Sequence, residues 1–532
     1  MTSSRSRRLH PRSVFNSSIT ANKVGKQPGY KRDKVATPET VGQIEFFSSW
    51  GGFRRLYVTA MLARSEIPAL RELSLSLSPK ALNHTFSLIR VDAHMMSTDT
   101  LQPSLMPLAS SFEAVLRRHV IDVWFPRSLD REYGGFLCDF DYRWKPCGPN
   151  EKLLEFQARH TWFVAEASQA YPNDNRLREA VEHGFSYLRS ALWDEVAGGW
   201  FSLLDRAGKP IEAHTKHIHG FAYAILACVA VYKAIGEQVA LRLARESFDW
   251  IHRYARDSQH GGYFSHVRRD GTAICGSNVD GQIRWKGTID TPFGCKDISV
   301  HSGLLEALTV LYRASRDAGV AEQLAEIFDI VCNRMTSPLG AHHQYYLADW
   351  TPVPHLTRFG HQLHNAFRLL GASHLLGCNE KAHVTARALT DHALRYGWDR
   401  QRGGFYFAGP GSEPLFLQGQ DLTVRKKLLW VQMGALKALL ALHGVAPDEE
   451  HYLQRFKTQW RYILDQLVDA IYGGFHTASL EALPWWQRPK LSLAPTYFTL
   501  KGSNWKDSSH DGLSLLYCMA TLKDRELVQC ST

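Results

Sequence analysis

One turn motif occurs five times in this chain, and it constrains the fold more than any other feature of the sequence. Its skeleton is an aspartate, three variable residues, two glycines and an aromatic residue. The copies are DREYGGF, DEVAGGW, DSQHGGY, DRQRGGF and DAIYGGF, beginning at Asp130, Asp194, Asp257, Asp399 and Asp469. A fixed period is typical of repeat architectures, so we expect one structural unit to recur along the chain.

The spacing of the copies predicts six units. Successive aspartates are 64, 63, 142 and 70 residues apart, so the third interval is about twice the others. A degenerate copy is therefore expected near Gly340, within TSPLGAHHQYY. Paired glycines allow positive φ angles and close backbone approach, and an aspartate can accept hydrogen bonds from nearby amides. By itself, the motif predicts turn structure and no chemistry.

The segments between the turns carry apolar residues at helical spacing. Successive turns enclose two such segments, as in GFAYAILACVAVYKAIG from Gly220 and VALRLARESFDWIHRYAR from Val239. Five helical hairpins are expected in this way, with single helices near 111–124 and 509–522 at the two ends. The end helices complete a sixth hairpin only if the array closes, so the sequence favours an all-α (α/α)6 barrel. An open solenoid would instead have polar capping repeats.

The net charge of +10 is concentrated near the N-terminus. Residues 1–100 hold 15 Lys+Arg against 7 Asp+Glu, while the remainder holds 47 against 45. The repeat region is therefore nearly neutral, and the sequence predicts no nucleic-acid partner. Residues 1–100 are expected to form a basic leader that is disordered or dispensable, with the barrel at 101–532. A regulatory or targeting extension is the alternative.

Neither a membrane segment nor a secreted environment is indicated. No apolar run reaches the roughly 18 residues of a membrane span. The nine cysteines are scattered without a CxxC pair, which predicts a reducing compartment and hence the cytoplasm. There is no P-loop, GxGxxG or HExxH motif, so neither a metal nor another cofactor is predicted. A homodimer is compatible with the sequence.

Polar residues crowd the start of each predicted inner helix. The six starts are QARHTW, KHIHGF, KDISVHSG, FGHQLHN, RKKLLWVQ and KDSSHDG. If the six helices run in one direction, these starts meet at one mouth of the barrel, where helix N-termini supply partial positive charge. A histidine at one helix start is more often structural than catalytic, but histidines at the matching place in four of the six starts indicate a polar site there.

Over residues 110–522 the sequence resembles the N-acylglucosamine 2-epimerase family, and most of all its cellobiose 2-epimerase branch. The matching stretches are KHIHGFAYAILACVAVY, HSGLLEALTVLYR, RFGHQLHNAFRLLGASHLLG, LWVQMGALKALLALH and KGSNWKDSSHDG. The family fold is an (α/α)6 barrel, which agrees with the helix count. The resemblance implies a carbohydrate 2-epimerase that acts on a small sugar without a cofactor.

The resemblance also implies a role for each matching residue. His361 and His510 match the two general acid/base groups of the family, and His301 matches a third active-site histidine that supports the substrate or its ring opening. Positions implied for substrate binding are Arg159, Lys216, His219, His364 and Trp430. In the implied reaction, one base removes the C2 proton of an open-chain aldose, and an acid on the opposite face returns a proton to the enediolate. Histidine suits both steps because its ordinary pKa of about 6.5 lies near neutrality.

This chain departs from the family pattern at two carboxylates. The family usually carries Glu where this chain has His364 and Gly434, and His219 and Phe367 stand where Tyr and Trp are usual. We expect the loss of these two carboxylates to affect ring opening and substrate choice more than proton transfer at C2.

Three other functions remain open at this stage. An aldose–ketose isomerase would use the same enediolate. A glycoside hydrolase would need two carboxylates, for which Asp297 and Asp511 are candidates. A non-catalytic sugar-binding relative would keep the fold alone.

Overall fold

A computed structural model gives the chain as a closed ring of helical hairpins. It describes residues 105–125, 127–211, 214–274, 294–353, 356–411, 416–417, 420–421, 423–479, 481 and 500–529. Twelve continuous helices lie within these ranges. The predicted leader at 1–100 lies outside the described residues, so the proposed boundary between leader and barrel stays a prediction.

The helices are named α1 to α12 in chain order. They are α1 (106–124), α2 (Leu154–Ala170), α3 (175–192), α4 (Ile218–Ile235), α5 (Gln238–Tyr254), α6 (Ile298–Ser315), α7 (318–335), α8 (Phe359–Leu376), α9 (Asn379–Tyr396), α10 (Leu429–Val445), α11 (Glu450–Gln466) and α12 (Ser509–Gln529). Three of them include a π-helical turn: Arg117–Ile121 in α1, Leu188–Leu192 in α3 and Val331–Met335 in α7.

The even-numbered helices form an inner ring, and the odd-numbered helices surround it. Each inner helix contacts the next one, and α12 also contacts α2, so the inner ring closes. Each outer helix packs on an inner partner, with α1 on α12 at the joint between the chain ends. The predicted (α/α)6 barrel, including the pairing of its two end helices, is therefore confirmed.

Burial distinguishes the two rings. Inner helices are covered on both sides: in α4, fourteen residues from Ile218 to Val231 are all buried. Outer helices bury one face only, as in α5, where Leu243, Phe248 and Ile251 are buried and the charged residues face outward. By length and apolar composition alone α4 could cross a membrane, but most of it is buried within the barrel.

Short antiparallel strands connect the hairpins at one end of the barrel. The pairs are Lys152–Leu153 with Leu203–Leu204, Thr215–His217 with His266–Arg268, Lys296–Asp297 with Tyr345–Tyr346, Tyr345–Tyr346 with Pro352–Val353, Thr357–Arg358 with Ala408–Gly409, Phe416–Leu417 with Gln420–Asp421, and Phe140–Asp141 with Leu500–Gly502. In four of the six units an inner helix begins directly after such a strand. This places the starts of these helices on the rim where the turn motifs lie.

Each of the five motif turns follows an outer helix, as predicted. In the copy at Asp194, both Gly198 and Gly199 have positive φ, at 68° and 69°. The Asp194 carboxylate accepts the amides of Val196 and Ala197 through Oδ1. The aspartate therefore shapes the turn, while the glycines supply backbone angles that other residues adopt at a cost.

The second carboxylate oxygen of each motif aspartate accepts a hydrogen bond from a buried lysine. The five pairs are Asp130–Lys152, Asp194–Lys216, Asp257–Lys296, Asp399–Lys427 and Asp469–Lys501, with Nζ to Oδ2 distances of 2.9, 2.9, 2.8, 2.8 and 2.6 Å. Four of these lysines stand two residues before an inner helix. The pair thus ties the end of one hairpin to the start of the next.

The degenerate sixth unit lacks both members of this pair. Its turn is one residue shorter, closed by the Gly340 amide on the Ser337 carbonyl and by the Ser337 amide on the Ala341 carbonyl. Gly340 has a φ of 80°. Thr357 occupies the lysine position two residues before α8, and its hydroxyl donates to the His342 carbonyl. The sixth unit therefore lacks both the aspartate and the lysine of the other units.

Lys216 was predicted to bind substrate, and its position in the structure corrects that expectation. Its side chain is 1 % exposed, and its ammonium donates to Asp194 and to the Gly198 carbonyl. Burial raises the pKa of Asp194, but the hydrogen bonds from Arg269 and Lys216 outweigh it and keep that pKa below its usual value. Lys216 is one member of a repeated structural ion pair.

We predict that Lys216→Met lowers the free energy of unfolding by about 3–5 kcal/mol, because it leaves a buried carboxylate with only its partly exposed arginine partner. Urea unfolding followed by circular dichroism measures this. Lys209→Met is the matched control, since Lys209 is exposed and its loss should change stability by less than about 0.5 kcal/mol. Equal stabilities of the two variants would contradict the structural assignment.

Candidate active site

A cavity of about 420 Å³ opens at the end of the barrel where the inner helices begin. Each inner helix places a side chain from its first two turns on the cavity wall: Arg159 from α2, His219 from α4, Ser302 from α6, His361 from α8, Trp430 from α10 and His510 from α12. The common direction of the six helices thus brings distant parts of the sequence to one mouth.

Six of the eight predicted site residues line this cavity. They are Arg159, His219, His361, His364, Trp430 and His510. The other two, Lys216 and His301, are absent from its wall. The predicted meeting of the inner-helix starts is therefore observed, while the catalytic and binding roles of the individual residues stay predictions.

His301 is fully buried, and the backbone engages both of its ring nitrogens. Nδ1 donates to the Asp297 carbonyl at 2.9 Å, and Nε2 accepts the Tyr263 amide at 3.0 Å. Burial, above all, lowers the pKa of His301 to about 4, which keeps the ring neutral as this arrangement requires. No ring nitrogen is left to contact a sugar.

The position of His301 in its helix explains this arrangement. It is the fourth residue of α6, and the fourth residues of α2, α8 and α10 are Gln157, Gln362 and Gln432. Each of these glutamines also hydrogen-bonds backbone atoms of the preceding turn. We therefore correct the prediction of a catalytic His301: it is a structural residue that takes the place of a repeated glutamine.

Trp430 lies between the two histidines predicted to transfer protons. Its indole centroid is 5.3 Å from the ring of His361 and 6.2 Å from the ring of His510. The three residues come from α8, α10 and α12, which are consecutive in the inner ring. Two imidazoles thus border one aromatic surface within one cavity.

A hydrogen-bonded chain orients His361. Its Nδ1 lies 3.1 Å from Gln344 Oε1, so Nδ1 carries the proton and Nε2 is left as the basic nitrogen. The Gln344 amide donates in turn to Asp297 Oδ1 at 3.3 Å. Gln344 was not among the predicted site residues, and Asp297 was considered only as a carboxylate for the hydrolase alternative.

Burial keeps the cavity histidines neutral. It is the main cause that lowers the pKa of His361, His364 and His510 well below the ordinary value of 6.5. Positive charges add to this effect, first Arg358 at His361 and first Arg159 at His510. At neutral pH each imidazole is therefore able to accept a proton.

Arg159 is held in place before any ligand arrives. Its Nη1 lies 3.4 Å from Asp507 Oδ2, and its guanidinium stacks 4.2 Å from the centroid of Tyr223. Burial opposes its charge, but Tyr223, Asp507 and Glu155 raise the pKa of Arg159 above its ordinary value. A fixed cation beside the histidines suits a substrate that develops negative charge.

The two departures from the expected carboxylates are linked in space. A Cβ atom added at Gly434 would lie 2.6 Å from Nε2 of His364, closer than real Cβ atoms come to any neighbour. The ring of His364 therefore occupies the space that a residue 434 side chain would need. It stacks at 5.8 Å on Trp430 and lies 5.5 Å from His510.

Sequence reasoning missed a buried cluster at the edge of the cavity, formed by Glu155, His217 and His219. Nδ1 of His217 and Nδ1 of His219 lie 2.9 and 3.4 Å from the same Glu155 oxygen. One potential ligand atom from each residue lies within 4.8 Å of the others, so this group has the residue types of a metal site. The two histidines in KHIH, and a glutamate one turn before Arg159, were the available signals.

The fold and the cavity together define a class of protein: an (α/α)6 barrel with buried, neutral histidines at its mouth. The family model for N-acylglucosamine 2-epimerase (GlcNAc 2-epimerase) matches residues 134–280 and 290–482, well over half of the chain. The chain therefore belongs to the N-acylglucosamine 2-epimerase family. It is a carbohydrate 2-epimerase of the isomerase class, with a small-molecule sugar as substrate.

Individual relatives agree with this assignment. A cellobiose 2-epimerase of Ruminococcus albus is 23 % identical over 409 residues, which cover 76 % of this chain and 96 % of the relative. The solved cellobiose 2-epimerase of Spirochaeta thermophila is 27 % identical with a TM-score of 0.68, covering 80 % of this chain and 99 % of the other. A solved D-mannose isomerase, 21 % identical with a TM-score of 0.64 over 78 % of this chain and 97 % of the other, shares the fold.

We predict that Gly434→Ala displaces the ring of His364 and lowers stability by about 1–3 kcal/mol, as overpacking does in a well-packed interior. Thermal unfolding and turnover would both report the displacement. His364→Ala should relieve most of this loss in the double variant, because it empties the contested space.

Gly371→Ala is the matched control, since no atom lies within 4 Å of an added Cβ there. Additive effects of the substitutions at 434 and 364 would show that the two positions are independent.

Proposed function

We propose that this chain inverts C2 of an aldose, or of the reducing-end sugar of a disaccharide, with His361 and His510 as the two proton-transfer groups. The observation that carries the proposal is the placement of two neutral imidazoles, from α8 and α12, with ring centroids 5.3 and 6.2 Å from the Trp430 indole. A sugar ring or open chain resting on this indole would present its C2 to both.

The proposed reaction has three steps once the sugar is in its open-chain aldehyde form. Nε2 of His361 removes the C2 proton, which leaves an enediolate whose negative charge faces Arg159. The negative charge of the enediolate favours uptake of a solvent proton by the neutral His510. His510 then donates its proton to the opposite face of C2, the centre is inverted, and His361 releases the abstracted proton to solvent. For the other epimer the two histidines exchange roles, as reversibility demands.

A disaccharide is the substrate class that the relatives suggest. Those named above as cellobiose 2-epimerases act on a two-sugar substrate. Trp505 lines the cavity while remaining 50 % exposed, so its indole offers an apolar face beyond Trp430. The reducing sugar would rest on Trp430 and the second sugar on Trp505.

Aldose–ketose isomerisation is the second candidate. It shares the enediolate and differs only in returning the proton to C1, and a D-mannose isomerase has the same fold. A glycoside hydrolase is not favoured. Asp511 does not line the cavity and is paired with Lys506, and Asp297, which does line it, is engaged by Ser299 and Gln344.

We also propose a cytoplasmic location and no nucleic-acid partner. All seven cysteines in the described residues are free, as in a reducing compartment. A homodimer remains compatible with the sequence, and size-exclusion chromatography with light scattering would test it.

The decisive experiment incubates the enzyme in deuterated water with cellobiose, glucose, mannose, N-acetylglucosamine and their 2-epimers. Deuterium at C2 of an inverted product supports epimerisation, and deuterium at C1 of a ketose supports isomerisation. His361→Asn and His510→Asn should each lower turnover by about 10²-fold or more, the usual contribution of general acid–base catalysis. Either variant should still exchange the C2 proton of one epimer without inverting it.

His374→Asn is the control, because His374 is an exposed residue near the C-terminal end of the same helix α8. It should keep full turnover. Near-normal epimerisation by both the His361 and the His510 variants would contradict the proposed pair.

We predict that the acid limb of kcat/KM lies below the ordinary histidine pKa of about 6.5, because burial and Arg358 lower the pKa of His361. Arg358→Gln removes this charge, so the pKa of His361 should rise and the acid limb should move to higher pH. Arg358→Lys keeps the charge and should leave the limb in place. If the acid limb of Arg358→Gln, measured with the same substrate, is unchanged, then His361 is not the base whose protonation produces that limb.

A further inference from the structure

A 2-epimerase must open the sugar ring before it can remove the C2 proton, because that proton is acidic only beside an aldehyde. His301, which the resemblance associated with ring opening, has both nitrogens bonded to the backbone. His361 and His510 are assigned to C2. The proposed function therefore leaves one proton-transfer group unassigned, and the inference below rests on that function.

Besides His361 and His510, the cavity wall contains His217, His219 and His364, and of these His219, at the start of α4, has an environment that suits a proton-transfer group. Its Nδ1 faces the buried Glu155 carboxylate at 3.4 Å, while Nε2, on the other edge of the ring, has no hydrogen-bond partner among the described residues. Tyr223 packs edge-on against the ring at 4.9 Å and fixes its plane. His219 thus directs its unengaged nitrogen away from the carboxylate.

The neighbouring helix leaves the approach to His219 open. A Cβ atom added at Gly303 of α6 would lie 3.8 Å from Cδ2 of His219, so a longer side chain there would cover the ring. Glycine at this position leaves the ring edge bordering the cavity.

Glu155 is placed to stabilise a protonated imidazole. Its side chain is fully buried, and its second oxygen, Oε2, has no hydrogen-bond partner among the described residues. Burial raises the pKa of Glu155, but hydrogen bonds from His217 and His219 outweigh this and keep the carboxylate ionised. An ionised carboxylate in this position lowers the energy of an adjacent imidazolium, as in carboxylate–histidine pairs elsewhere.

We infer that His219 opens and closes the sugar ring, with Glu155 as its positioning residue and His217 sharing the same carboxylate. Nε2 of His219 takes the proton from O1 of the cyclic sugar. The C1–O5 bond breaks, its electron pair stays on O5, and the imidazolium returns the proton to O5. The product is the C1 aldehyde with a free C5 hydroxyl, and nothing is oxidised or reduced.

The competing explanation of the same cluster is a metal site, because a glutamate and two histidines are common ligands of transition metals. Two observations favour the proton-transfer role. Nδ1 of His217 lies at 2.9 Å from the carboxylate, an ordinary hydrogen-bond length. The permanent charge of Arg159 on the same helix also acts on Glu155, and it would repel a divalent cation.

The test separates ring opening from C2 chemistry. Two-dimensional exchange NMR of glucose measures interconversion of its anomers, which requires ring opening only, and C2 deuteration measures the later step. Glu155→Gln and His219→Asn should each lower enzyme-catalysed anomer interconversion by about 10-fold or more. With glyceraldehyde, which is too short to form a ring, both variants should exchange C2 deuterium at the wild-type rate.

Two matched controls keep the test specific. Glu166→Gln alters another glutamate of α2, well away from the cavity wall, and His301→Gln installs the residue found at this position in three other units. Both should retain anomer interconversion. Thermal unfolding of all four variants identifies any that fail to fold. Glu155→Asp is a second variant at that position; it keeps the negative charge and should restore part of the rate of anomer interconversion.

Several results would overturn the inference. Normal anomer interconversion in Glu155→Gln would do so, as would an equal loss with glucose and glyceraldehyde, which would indicate a structural role. Stoichiometric binding of Zn²⁺ or Co²⁺, abolished by Glu155→Gln, would assign the cluster to a metal. If wild-type enzyme deuterates no sugar at C2 but still interconverts anomers, the proposed epimerisation fails while the ring-opening assignment stands.

Discussion

The buried lysine–aspartate pair is the interaction on which the rest of the structure depends. Each pair joins the turn after an outer helix to the residues just before the next inner helix. Because both charges are desolvated, loss of one partner leaves the other charge buried and unpaired. The two side chains are therefore strongly held in contact. Four of the pairs fix the lysine two residues before the helix, and the cavity residues follow within two turns. The active site is thus a by-product of how the repeats are joined.

The sequence was sufficient to predict this architecture because the repeat constrains it many times over. Five turn motifs and ten periodic segments agree on one unit, and the two end helices require closure. It was insufficient for Lys216 and His301, since a polar residue at a helix start looks the same whether it faces the cavity or the preceding turn. Comparing equivalent positions resolves the question: Lys216 aligns with lysines at 152, 296 and 427, and His301 aligns with glutamines.

The interior of the site was less predictable for a physical reason. Three residues act by orienting another side chain: Glu155, Gln344 and Asp297. Their role in the site therefore depends on distances that no sequence pattern encodes. Glu155 and Asp297 could have been read as ordinary helix-start residues, whereas Gln344 directly precedes the strand Tyr345–Tyr346. Only folding brings Gln344, seventeen residues before His361, to the nitrogen that it orients. By contrast, His361, His510 and Trp430 come from distinct motifs, which is why resemblance located them.

The crowding of the barrel mouth links the histidines to glycines on adjacent helices. His364 fills the space above Gly434, and His219 lies over Gly303. The imidazole of His364 requires that the following inner helix carry no side chain at position 434, so that exchange involves two positions, whereas a Cβ atom at Gly303 would only touch His219. The result is a mouth in which burial keeps the imidazoles neutral, and one of them, His364, stands where a carboxylate was expected. A buried carboxylate needs a cationic or hydrogen-bonding partner, whereas a buried neutral histidine needs no cation. Several proton acceptors can therefore lie beside Arg159 without a cation paired to each of them.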